Sequence, residues 1–115
     1  MIENKGFIAI DGSGITSSDI VNIINAEKYK DYSIVLFLNT VKSRFKVPNH
    51  NNLEVVYVEE NGSLSQQLVA EVSIKVTKDS FDDILIFSKN NDYNGLVKIL
   101  KYYGHRVKVY CTDNM

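Results

Sequence analysis

Residues 83–103 read DILIFSKNNDYNGLVKILKYY. Four consecutive apolar residues, Ile84 to Phe87, have the length and composition of a buried strand. Leu96, Val97 and Leu100 recur at helical spacing, so Asn94 to Tyr103 is predicted to be a helix. Gly104 follows at a C-cap position, and Arg106 to Cys111 reads as another strand. A strand, a helix and a further strand in so short a span are the unit of a parallel sheet. Between the first strand and the helix lies SKNNDY, Ser88 to Tyr93, almost wholly polar.

The same alternation runs back to the start of the chain. Phe7 to Ile10 is a short apolar run ended by the turn residues Asp11-Gly12-Ser13-Gly14. Ser17 or Ser18 can cap a helix from Asp19 to about Glu27, with Ile20, Ile23 and Ile24 on one face. Ser33 to Leu38 has no polar alternation, the mark of a strand covered on both faces. Asn39 to Asn52 reads as a short helix or a loop, ended by Pro48. Leu53 to Val58 is a third strand. Ser63 is the expected cap of a helix to about Thr77, whose Leu64, Leu68, Val72 and Val76 repeat every four residues. The fourth strand is set at Asp82 to Phe87. The order β-α-β-(α)-β-α-β-α-β predicts an α/β three-layer sandwich with a mostly parallel sheet of about five strands.

The chain has 115 residues, 44% of them hydrophobic, enough for one core without disulfides or a structural metal. One domain, residues 1–115, is expected. A formal net charge of -1 excludes a strongly basic nucleic-acid coat. No apolar run reaches the ~18 residues of a membrane span, and MIENKGF does not read as a signal peptide. The single cysteine, Cys111, lies in an apolar run and is read as a small core residue, its lone thiol suiting a reducing cytoplasm.

Ligands of open α/β sheets seat at the carboxyl ends of the strands. There the sequence places Asp11 and Ser13 after strand 1, Asn39 and Thr40 after strand 2, and Ser88, Asn90, Asn91 and Asp92 after strand 4. The helix from Leu64 offers Ser65 and, further in, Glu71 on the border of its buried face. Carboxylates from three segments meeting at one edge would suit Mg²⁺ or Mn²⁺, which prefer oxygen ligands and can activate water against a phosphodiester. Structural readings stand beside this one. Asp11 can make an Asx-turn, Asp92 or a neighbouring asparagine can cap the next helix, and Glu71 can pair with Lys75.

The quoted motifs resemble the NYN branch of the PIN-like nuclease domains. Members carry an aspartate after strand 1, often in D-x-x-N, then D-x-x-L-x-x-D in the helix before strand 4, then S-G-D-x-D-[FY] after it. Here these read IDGSG, SQQLVAE from Ser65 to Glu71, and SKNNDY from Ser88 to Tyr93. Gly14, Ser65, Glu71 and Asn90 depart from the pattern. The resemblance implies a PIN-like topology and a Mg²⁺- or Mn²⁺-dependent ribonuclease acting on single-stranded RNA. By position it makes Asp11, Glu71 and Asp92 catalytic, with Asp11, Asp92 and Asn90 on the metal. Ser13, Ser65, Ser88, Asn90, Asn91, Lys42 and Arg44 would then meet substrate, the last two from a basic run around Phe45. With two acids replaced, the second expectation is a catalytically silent PIN-like module binding RNA or a protein partner. A homodimer through Tyr102 and Tyr103 is a further expectation, and no membrane partner is expected. The glycines of DGSGITSSD lack both the lysine of a phosphate-binding loop and G-x-G-x-x-G spacing. Neither His50 nor His105 is placed beside a nucleophile.

Overall fold

The computed structural model describes residues 6–39, 47, 50, 52–59, 63–79, 81–89 and 93–112. β1 (Gly6–Asp11) has every residue buried, which only a strand flanked on both edges and covered on both faces achieves. β2 (Ser33–Asn39) pairs with one edge of it and β4 (Asp83–Ser88) with the other. β3 (Leu53–Val58) lies outside β2, and β5 (Arg106–Cys111) outside β4. All four pairings are parallel, in the order β3-β2-β1-β4-β5. The expected α/β sandwich with a five-stranded parallel sheet is therefore the observed architecture.

Alternate residues of the strands feed two apolar layers, as the period of two requires. Phe7, Ala9, Phe37, Ile84 and Ile86 face α2 (Leu64–Lys78) and α3 (Asn94–Tyr102) and meet Leu68, Val72, Leu96 and Leu100. Ile8, Ile10, Leu36, Leu38 and Phe87 face α1 (Ser17–Ile24) and meet Ile20, Ile23 and Ile24. The isoleucines and leucines picked out by helical spacing are thus the buried ones. Val97 is only partly buried, because it sits at the flank of α3.

Helix boundaries differ instructively from the sequence reading. Thr16, not Ser17 or Ser18, caps α1. Its hydroxyl accepts from the Asp19 amide at 3.1 Å, and the Asp19 carboxyl accepts from the Thr16 amide at 3.4 Å. This reciprocal box needs an acid three residues after the cap, and only Thr16 has Asp19 there. The helix stops at Ile24, and Glu27–Tyr29 forms a separate 3-10 turn after the extended Ala26. Ser63 caps α2 as expected, accepting from the Gln66 amide at 3.3 Å. Gly104 ends α3 with φ at 92°, the left-handed conformation that glycine adopts without a Cβ penalty. Cys111 is exposed rather than buried, since the edge strand that carries it has nothing outside it among the described residues. The reading of 39–52 as helix or loop falls largely outside the described residues. No helix among the described residues is long and apolar enough to cross a membrane.

Gly12 is demanded by packing. Its amide donates to the Phe37 carbonyl at 2.8 Å, and a β-carbon there would stand 2.4 Å from that oxygen and 2.6 Å from Leu38 Cδ2. Gly12→Ala is expected to cost about 1–3 kcal/mol, the usual range for overpacking; a urea midpoint unchanged from wild type would remove this contact from the account.

At the amino edge, the Tyr32 hydroxyl donates to Asp83 Oδ2 at 3.3 Å, and Arg106 Nε lies 3.2 Å from Asp83 Oδ1. Burial, and then the charge of Asp83, raise the Tyr32 pKa above its ordinary 10.0. The fold thus favours the neutral phenol. Its contribution to stability is full below 10.0 and is lost as pH climbs through the raised value. The stability gap between wild type and Tyr32→Phe should therefore narrow in alkali, as read from urea midpoints on either side of pH 10.0; a constant gap would contradict the shift.

Candidate functional site at the carboxyl edge

Because all strands are parallel, their carboxyl ends share one edge. From β1 the chain moves outward through β2 to β3, then crosses back to β4 on the other side. The order reverses between β1 and β4, and a crevice opens at such a point in doubly wound sheets. The strand pairings set Ile10 beside Phe87 and Ser88 beside Cys111, so Asp11 and Ser88 end neighbouring strands at one level.

Asp11 is only 1% exposed. A carboxyl group so deeply buried is costly unless hydrogen-bonded. Its Oδ1 accepts from the Ser13 amide at 2.9 Å, closing the Asx-turn that the residue types allowed. Its Oδ2 accepts from the Tyr93 hydroxyl at 2.5 Å. Ser88 and Thr112 are buried too. Among the described residues, no buried side-chain nitrogen or oxygen lacks a hydrogen-bond partner.

Tyr93 holds an unusual backbone. Its φ of 55° and ψ of 30° are left-handed, and it is the one non-glycine residue with positive φ among those described. Such a conformation costs an L-residue about 1–2 kcal/mol. The hydroxyl on Asp11 and a ring buried in the α3-side core help to hold it there. Residue type gave no warning, because this conformation is expected of glycine or asparagine. The available signal was an aromatic ring in a polar link between strand and helix.

The structure brings Asp11, Ser13 and Ser88 to the switch point. Ser65 stands in the first turn of α2, its hydroxyl 3.1 Å from that of Ser63. Glu71, two turns into α2, accepts from Gln67 Nε2 at 3.0 Å. Lys75, its proposed partner, instead pairs with Glu54 at 3.8 Å. Asn90, Asn91, Asp92, Lys42 and Arg44 lie outside the described residues. His50 accepts through Nδ1 from the Asn52 amide in a turn.

The divalent-ion expectation requires correction. Among the described residues, no three His, Cys, Asp or Glu side chains are grouped so as to hold a metal ion. Asp11 is committed to Tyr93 and Ser13, and Glu71 to its own helix. Phosphate has a poor seat here as well, since the amino end of α1 already carries the Thr16–Asp19 box and a carboxyl group.

No family model matches the chain, and no curated protein matches it. Two solved structures of a short-chain dehydrogenase/reductase from Veillonella parvula DSM 2008 are similar. An ethylated form is 17% identical with a TM-score of 0.49, and a form in complex with NADP is 19% identical with a TM-score of 0.48. Each match covers 90% of this chain and 46% of the other, so the chain spans about half the length of these proteins. The likeness is one of chain path and does not extend to activity. It also corrects the expected family: the matched structures are dehydrogenases/reductases, not PIN-like or NYN-type nucleases. The ribonuclease, the silent PIN-like module and the Mg²⁺ or Mn²⁺ cofactor are withdrawn with that family.

The Asp11–Tyr93 pair makes a direct prediction. Tyr93→Phe leaves a buried carboxyl group one donor short and should cost roughly 1–3 kcal/mol in a urea titration; an unchanged midpoint would mean that the bond contributes nothing.

Proposed function

We propose that this chain is a ligand-binding α/β module whose seat is the switch-point crevice between β1 and β4. The ligand is a small molecule rich in hydroxyl donors, such as a ribose or another sugar. The observation that carries this reading is Tyr93, held in a left-handed conformation with its hydroxyl on the buried Asp11. Backbone strain of this kind clusters at ligand clamps. The Tyr93 hydroxyl occupies the place on Oδ2 that a ligand hydroxyl would take. Exchange of one donor for the other keeps Asp11 satisfied and lets Tyr93 relax.

The electrostatics favour hydroxyl donors over phosphates. Asp11 lies at the floor, and Asp19 sits at the amino end of α1. A reducing, cytoplasmic setting fits the single exposed thiol of Cys111.

Titration calorimetry with adenosine and with NADP tests the reading. Adenosine should bind wild type, bind Tyr93→Phe more tightly because the competing hydroxyl is gone, and bind Asp11→Asn about tenfold more weakly. NADP should gain nothing from its phosphates. Indifference of adenosine to both substitutions, or tighter binding of NADP that ignores Asp11→Asn, would overturn the proposal. Circular dichroism of each variant confirms that a lost signal is not lost folding.

A further inference from the structure

β5 is an edge strand, and among the described residues nothing pairs with its outer side. Its side chains alternate. Val107 and Val109 turn towards α3 and join that core, while Arg106, Lys108 and Tyr110 are exposed. Tyr110 stacks on Phe87 at 5.2 Å, which places this row on the α1 side of the sheet. The α1 layer reaches β4 through Tyr29, whose ring meets Phe87 edge-on at 6.1 Å.

A hollow follows the edge strand on each side. The one on the α3 side, of about 620 Å³, is lined by Val97, Val107 and Val109 together with Lys89, Lys101 and Lys108. The other, of about 720 Å³, is lined by Tyr29, Tyr32, Leu85, Arg106, Lys108 and Tyr110. Neither is lined by Asp11 or Tyr93. Lys28 and Lys101 also border the second hollow, giving four basic side chains against one carboxylate, Asp83. That carboxylate is already paired with Arg106. Lys101 and Lys108 make no ion pair among the described residues.

We infer that β5 is a docking edge for an extended, acidic segment of a partner protein, added as a sixth strand. Backbone hydrogen bonds to the open side of β5 would supply the pairing, and the two hollows would receive alternate side chains. The pattern follows from the register. Acidic residues fall on the α1 side, opposite Arg106 and Lys108, and aliphatic residues on the α3 side, beside Val97 and Val109. Charge selects against a second copy of this chain. An antiparallel β5–β5 pair in one sheet would bring two sets of Arg106 and Lys108 onto the same face.

The probe is a short fluorescein-labelled peptide of alternating glutamate and valine, followed by anisotropy and by amide hydrogen exchange. Saturable binding is expected, weakened about tenfold in Lys108→Glu, together with slowed exchange of β5 amides. Lys108 is exposed on an edge strand, so the variant should keep the wild-type circular dichroism spectrum and leave adenosine binding at Asp11 unchanged. Four results would each overturn the inference: equal affinity for a lysine–valine peptide, undiminished binding to Lys108→Glu, binding without slowed exchange in β5, or no binding at about 1 mM peptide. Preference for oligouridylate over the acidic peptide, or dimerisation through β5 in sedimentation, would assign the edge to a different occupant and overturn it equally.

Discussion

Everything in this fold is arranged around a strand that has no exposed residue. A β1 buried along its whole length must have a neighbour on each edge and a helical layer on each face. The chain meets that demand by leaving β1 in one direction, to β2 and β3, and returning on the other, to β4 and β5. The strand order reverses between β1 and β4, and the one acidic residue of β1 ends that strand at the reversal. Asp11 cannot be solvated in that position, so the loop beyond it and the start of α3 supply its donors. The left-handed Tyr93 follows from this: a hydroxyl had to arrive from the β4 side, and the backbone bends to deliver it.

Much of the architecture was legible because burial writes itself plainly. The uninterrupted apolar runs at Ser33 to Leu38 and Ile84 to Phe87 are the strands next to β1. The four-residue repeat from Leu64 is the α2 stripe, and Ser63 caps it. Boundaries were less legible where two hydroxyl residues competed. Thr16 prevails over Ser17 and Ser18 because of the acid three residues on, a relation between residues rather than a property of one. Cys111 was misread for a different reason. An apolar neighbourhood in sequence says nothing about which strand ends at the edge of the sheet.

The candidate site was legible by address and not by chemistry. Parallel topology alone located the carboxyl edge, and Asp11, Ser13 and Ser88 stand there. What Asp11 does could not be read from spacing, because its partner lies 82 residues away. An aspartate that grips a tyrosine and one that grips a cation look alike in sequence. The motif resemblance filled that ambiguity with a nuclease, and the carboxyl partners do not support it.

The row of charge on β5 has another consequence, for behaviour in bulk. A strand left open among the described residues is a template to which further chains can add edge to edge, and like charges along it hold such neighbours apart. That repulsion depends on ionic strength, since the screening length falls to about 3 Å at 1 M salt. Concentrated electrolyte would therefore silence the guard while leaving the backbone ladder open. For this molecule, colloidal shelf life and solution conductivity are bound together through two basic side chains.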